Sequence, residues 1–255
     1  MRAQGLIGGS GHLGHHQIGR LLPHLALCRA EQCAVSSNRI LAGLSGADFA
    51  FLEPHLEPID LPVRKRLETS KKRIDHVYFI EAGFASVVAN GSNKPGIEIG
   101  IIGREGMTGL AVLLGSERAA HECYIQVAGK GLRISAPKLR EADERSLTLH
   151  RAMLRYAHNF LLQTTTTALA NGRSKIEERL ARWLLMAHDR LDGDDVPLTH
   201  EFLGLMLGTH RPGVTLALQT LEKEGLIAAR RSRITILDRK GLRKWSNGAY
   251  VPTDP

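Results

Sequence analysis

At 255 residues, 43% hydrophobic and 24% charged, the chain has room for two modest domains with ordinary apolar cores, and its net charge of +8 suits a polyanionic partner. No apolar run approaches the roughly 20 residues of a membrane helix, and the start has no basic segment followed by a sustained apolar core, so no membrane partner is expected and the expected compartment is the cytoplasm. Cys28, Cys33 and Cys123 are odd in number and lack zinc or disulfide spacing, which fits a reducing environment.

Residues 1–36 hold Gly5, Gly8, Gly9, Gly11, Gly14 and Gly19 among scattered leucines. Weak periodicity and few caps predict a flexible leader, with one short helix near Ile18 to Cys28. His12, His15 and His16 cluster there, but no nearby carboxylate or cysteine completes a metal site.

A regular pattern starts at Asn38. Ile40, Leu41, Leu44, Phe49, Phe51, Leu52 and Leu56 predict one or two short helices. Leu61 to Leu67, His76 to Ile80, Phe84 to Ala89, Ile97 to Ile102, Cys123 to Val127 and Leu132 to Ser135 read as short strands separated by turn residues. Many short strands with glycine turns predict an antiparallel sandwich or roll over residues 37–136.

Residues 137–171 contain no proline or glycine after Pro137, and Leu147, Leu154, Leu161 and Ala168 recur every seven positions. Met153 and Phe160 widen that stripe. A narrow heptad seam predicts a two-stranded parallel pairing, although the same leucines would also serve to dock the helix on its own domain. His150, Arg151 and His158 flank the seam, and Asn171-Gly172 is a plausible end.

Residues 172–250 form a second unit, before a short tail, 251–255. A helix from Lys175 to Leu191 carries Ile176, Leu180, Trp183, Leu184 and Ala187 on one side, and Asp192 to Asp195 makes a solvated turn. Thr199 can cap the next helix, with Glu201 in its first turn and Phe202, Leu203, Met206 and Leu207 as its apolar stripe. Gly208 permits the tight turn that follows. Thr209 or His210 caps another helix, Pro212 is tolerated in its first turn, and Gly225 ends it. Val214, Ala217, Leu218 and Leu221 mark its inner face, whereas Arg211, Thr215 and Gln219 share an outer one.

That pair of helices has a helix-turn-helix layout, and its outer side chains suit base edges: arginine for guanine, glutamine for adenine, a threonine methyl for thymine. Residues 228–237 then read as a short hairpin with Arg230, Arg231 and Arg233 at or beside its turn. Arg239, Lys240, Arg243 and Lys244 keep this end basic, as contacts to phosphates require.

Here the sequence resembles the Crp/Fnr family of bacterial transcription regulators. The resemblance rests on Leu198-Thr199, Leu207-Gly208, Arg211-Pro212-Gly213-Val214-Thr215, the run from Leu221 to Ile227, and the run from Ile234 to Asp238. Val77 to Gly83 and Gly100 to Gly109 resemble the family's sensor domain. The implied fold is α+β: a cyclic-nucleotide-binding-like jelly roll, a long dimerisation helix and a winged helix-turn-helix. In nucleotide-binding members a Gly-Glu pair holds the ribose and an Arg-Ser or Arg-Thr pair the phosphate. The corresponding positions here are Gly109-Leu110 and Arg118-Ala119, which lack those polar partners. The tighter cysteine cluster of the iron–sulfur members is also absent, so no cofactor is expected and the effector is left open.

These expectations converge on a homodimer that binds double-stranded DNA at a palindromic operator and regulates transcription without answering to cyclic AMP. The resemblance also implies contact with RNA polymerase. Pro212 stands where better-known members have a glutamate, and Ser232 where a glycine is usual, so operator and wing tip should differ from theirs. The rival reading is a ligand-binding or protein-interaction module that no longer docks on DNA. No Ser/His/Asp, Cys/His or paired-carboxylate motif argues for an enzyme.

Overall fold

The computed structural model describes residues 36–91, 96–198 and 200–252. The proposed leader, with its histidines and with Cys28 and Cys33, lies outside them. Asn38 opens the described chain as a buried cap whose side-chain oxygen accepts from the amides of Ile40 and Leu41. Helices α1 (Arg39–Ala42) and α2 (Gly46–Leu52) follow, and a single turn at Glu53–His55 leads into the strands.

Seven strands then build two antiparallel sheets. They are β1 (Glu57–Leu61), β2 (Arg66–Glu68), β3 (His76–Ile80), β4 (Phe84–Ala89), β5 (Ile97–Ile102), β6 (Glu122–Val127) and β7 (Gly129–Ser135), with α3 (Leu110–Leu113) between β5 and β6. Their orders are β1-β7-β3 and β2-β6-β4-β5. The single strand expected from Leu61 to Leu67 is two. Pro62 lacks the amide a strand needs, Lys65 closes a turn by donating to the Pro62 carbonyl at 3.0 Å, and Arg64 turns left-handed at φ 68°. β4 is buried along nearly its whole length, on both faces. Ala85 and Val87 point into the roll, while Phe84 belongs with Ile101 and Val127 to the second core, shared with the C-terminal domain.

The long helix expected over 137–171 is broken. α4 (Ala136–Arg145) and α5 (Leu147–Arg173) meet at Ser146, which is extended at φ −129°, ψ 109°. Ser146 caps α5 by accepting from the Leu149 amide at 3.1 Å, and it donates to the buried carboxylate of Asp48, which Thr148 and Ser45 also reach. Those hydroxyls hold the Asp48 acid below its usual range, Ser146 contributing most. A serine ahead of an apolar run was the sequence signal for this start. The helix also passes Asn171 and Gly172, ending at Arg173.

α5 has two apolar faces rather than one wide stripe. Leu149, Met153 and Tyr156 are buried in the roll's core with Phe160 against them, and the Tyr156 hydroxyl donates to the Met107 carbonyl at 2.9 Å. Met153 and Phe160 therefore do not widen the seam. Gly106 lets the loop before Met107 lie on this face, because a Cβ there would meet the Tyr156 ring at 2.4 Å. Leu147, Leu154, Leu161 and Ala168 are exposed on the other face.

The C-terminal domain comprises α6 (Ile176–His188), β8 (Asp195–Val196), α7 (His200–Leu207), α8 (Arg211–Lys223), β9 (Ile227–Arg230), β10 (Arg233–Ile236) and α9 (Arg239–Trp245). α6 is shorter than the expected Lys175 to Leu191, and Lys175 stands just outside it, its amide donating to Glu178 at 2.9 Å. This domain rests on the four-stranded sheet. The Trp183 indole N–H donates to Glu98 at 2.6 Å and its ring meets Phe84 edge-on at 6.2 Å. Arg190 donates through Nε to Glu105 at 2.8 Å and through Nη1 to the Met186 carbonyl at 2.7 Å. Ser86 and Gln126 hydrogen-bond within the same contact, beside Met206. Burial pushes the Glu98 acid up to about 7, partly offset by its hydrogen bonds and by Arg182 and Arg190.

Candidate nucleic-acid interface

The interhelical turn is made by Gly208 at φ 55°, a conformation glycine adopts without strain. Its amide donates to the Leu205 carbonyl at 3.3 Å, and the Thr209 amide to Gly204 at 3.0 Å, which closes α7. A Cβ on Gly208 would lie 2.8 Å from Ile97, so the turn sits against β5. Across it, Arg179 of α6 donates to the Leu207 carbonyl.

α8 starts after His210, which caps it by backbone geometry alone, with no side-chain hydrogen bond. Val214, Ala217, Leu218 and Leu221 are buried, which fixes the rotation of the helix about its axis. Arg211 and Gln219 are consequently exposed on the outer side, and Thr215 is half-buried with its hydroxyl spent on the Arg211 carbonyl at 3.1 Å. Thr215 thus offers its methyl rather than its hydroxyl. Sequence reasoning missed Leu216, a leucine 62% exposed on the same helix beside this face. Its signal was an apolar residue out of phase with the inner stripe.

β9 and β10 pair as a tight hairpin, Arg230 opposite Arg233, with Arg231 and Ser232 at its tip. Ser232 is left-handed at φ 61°, the conformation for which glycine is suited. β8 adds a third strand to β10. Glu222 of α8 accepts from the Ala229 amide at 2.6 Å, tying the hairpin to that helix. The three wing arginines are not equivalent. Arg233 pairs with Asp195 at 3.1 Å, whereas Arg230 and Arg231 are exposed and meet no carboxylate among the described residues. Arg239 is likewise committed, to Asp189 at 2.6 Å, to the Tyr250 hydroxyl and to His188. The turn at 192–195 is exposed as expected, and its carboxylates also find surface partners, Asp192 in Arg104 and Asp194 in His188. Thr199 lies outside the described residues.

A profile of the Crp-like helix-turn-helix domain matches residues 178–245, which span α6 through α9. Residues 178–245 are thus a Crp-like helix-turn-helix domain. Solved structures carry the same fold over most of the chain. A Crp/Fnr transcriptional regulator from Eubacterium rectale is similar at 16% identity over 83% of this chain and 99% of its own, with a TM-score of 0.65. FixK2 from Bradyrhizobium japonicum is similar at 16% identity over 74% and 96%, with a TM-score of 0.66. The c-di-GMP-responsive global regulator CLP of Xanthomonas campestris is similar at 18% identity over 76% and 100%, at 0.61. Among curated proteins no sequence matches it significantly.

The four residues expected at nucleotide-contacting positions part company in the roll. Leu110 packs on the apolar core and Ala119 is buried within it, while Arg118 is exposed and donates to the Lys71 carbonyl at 2.9 Å. The Gly109 amide, which opens α3, donates to Glu68 at 2.6 Å, and burial pushes the Glu68 acid up. Among the described residues no group of three His, Cys, Asp or Glu converges on a metal site, and no helix is long and apolar enough to cross a membrane.

Proposed function

We propose that the protein acts in the cytoplasm as a homodimer that reads a two-fold symmetric operator and regulates transcription there, alongside RNA polymerase, without a cyclic-nucleotide effector. The observation that carries the dimer is the double-sided α5: its roll face is filled by its own chain, while Leu147, Leu154 and Leu161 are 61%, 39% and 59% exposed on the other. Leu162 and Leu169, also exposed, extend that second face. An apolar seam repeating every seven residues suits a second copy of the same helix. In such a dimer two α8 helices enter successive major grooves, with half-sites about one helical turn apart.

On this reading Arg211 donates to a guanine from the helix start, with Thr215 and Gln219 following it along the groove and Thr209 and His210 near the phosphates. Arg230 and Arg231 bind backbone from the wing, and Arg233 contributes less because Asp195 already holds it. The burial of Leu110 and Ala119 and the outward Arg118 support a roll that takes no cyclic nucleotide at the family's position.

Selection from a random duplex pool, with and without cyclic AMP, tests the reading. The expected result is one two-fold symmetric motif in both samples, and a sedimentation mass of two chains that Leu161→Glu reduces to one. A motif recovered only with cyclic AMP would overturn the effector reading, and retention of no duplex at low salt would overturn the DNA reading.

A further inference from the structure

A cleft of about 400 Å³ opens between the four-stranded sheet and the first helix of the helix-turn-helix, within the range of roughly 300–1,000 Å³ typical of small-molecule sites. Arg64, Arg66 and Tyr124 line it from the roll, Phe202 and Leu205 from α7. Two smaller cavities, about 230 and 160 Å³, run along α5. They share Gln163, whose amide is already spent on both backbone groups of Ile101.

The roll side of the larger cleft is rigidly held. The Arg64 amide donates to Ile125 at 2.7 Å and the Ile125 amide returns to Lys65 at 2.9 Å, which pins the β1–β2 turn to β6. Arg64 adopts its left-handed backbone there, and its guanidinium stands 5.7 Å over the Phe202 ring. Arg66 pairs across the ladder with Tyr124 and stands 3.4 Å from Glu122. Arg64 meets no carboxylate among the described residues. Among the described side chains, two arginines against one glutamate leave a single positive charge uncompensated.

The Tyr124 hydroxyl supplies a second sign of a ligand. It is buried, and it has no hydrogen-bond partner among the described residues. An orphaned buried hydroxyl is costly, and an acceptor placed in the cleft would relieve that cost. Burial, with Glu98 and Cys123, pushes this phenol up to about 12, so at neutral pH it is a donor. The cleft therefore presents one net positive charge, two planar guanidinium forks, one unsatisfied donor and an apolar wall of Phe202 and Leu205.

We propose that this cleft is a binding site for a small organic carboxylate with an apolar body, seated between the sensor roll and α7. The carboxylate lies on Arg64 and Arg66 and accepts from Tyr124, and the apolar body lies against Phe202 and Leu205. A single carboxylate matches the single uncompensated charge, whereas a doubly charged phosphate leaves an excess. Because half of the site belongs to the helix-turn-helix, occupancy and operator binding are linked, each changing the other's affinity by the same factor. That linkage, unlike the site itself, rests on the DNA-binding reading above.

The test titrates the purified full-length protein with benzoate, phenylacetate and hexanoate by calorimetry, with benzamide as the uncharged counterpart. We expect saturable binding of at least one carboxylate at one per chain and none of benzamide. Arg64→Gln should weaken it about tenfold and Tyr124→Phe about fivefold, with the ligand-free melting temperature unchanged or, for Tyr124→Phe, raised. Absence of saturable carboxylate binding, or equal affinity in the wild type and both variants, overturns the site. A carboxylate that binds without altering affinity for the selected duplex overturns the linkage alone. Carboxylate binding by a protein that retains no duplex overturns the DNA reading and leaves the site standing.

Discussion

The C-terminal domain has two sides built on different chemistry. Its outer side, the exposed edge of α8 and the tip of the wing, carries Arg211, Gln219, Arg230 and Arg231 in solvent. Its inner side, where α6 and α7 rest on the roll, buries Trp183 on Glu98, Arg190 on Glu105, and Met206 beside Ser86. Exposed cations held by one helix and one hairpin can be changed singly with little consequence for folding. Buried charges that depend on a partner far along the chain cannot, because removing one strands the other in a low-dielectric site.

That contrast is broken most severely at Arg190, whose side chain is 1% exposed. Arg190→Ala should cost about 3–5 kcal/mol in urea unfolding, since Glu105 is left buried without its ion pair. A loss under about 1 kcal/mol would mean that the pair does not hold the two domains together.

Next in size is a pH dependence at Glu98. Its acid is raised to about 7, so between the ordinary carboxylate value of 4.5 and about 7 the folded chain holds a proton that the unfolded chain has released. The stability it contributes is fully present below 4.5 and is lost as pH rises through 7, by up to about 3 kcal/mol. Melting temperatures of the wild type should fall toward those of Glu98→Gln, relative to acid pH, over that window. Parallel profiles for the two proteins would remove Glu98 from the account.

Effects on the outer side are smaller and fall on DNA. Arg211→Ala should cost about 1–3 kcal/mol on the preferred operator and relax preference at one base pair per half-site. Arg231→Ala should weaken all duplexes alike and reduce the salt slope by about one. Arg233→Ala should do less than Arg231→Ala, because the Asp195 carboxylate already neutralises it. Equal losses for the two wing substitutions would show that the Asp195 pair opens on DNA.

Much of the outer side was legible in the sequence because its signals are local. The spacing of Val214, Ala217, Leu218 and Leu221 fixed the buried face of α8, and Gly208 marked the turn at left-handed φ. Leu216 escaped because a stripe counted only for its inner face hides an apolar residue on the outer one. At the wing, three arginines read alike until the distant Asp195 separated them. The seam was legible as a heptad, but Met153 and Phe160, on the same helix, belong to the roll. Helical periodicity shows that residues share a face and not what that face meets.

By itself the sequence determined where helices turn, which strands are short, which faces are apolar and where basic side chains accumulate, since each follows from the few neighbours that set backbone conformation and solvation. Tertiary structure alone decided that Met153 and Phe160 face the roll, that Arg233 and Arg239 are paired, that Glu98 is sealed under Trp183, and that Tyr124 has no hydrogen-bond partner among the described residues beside Arg64 and Arg66. Each of these depends on residues brought together across long stretches of chain, where burial sets the cost of every unpaired polar atom.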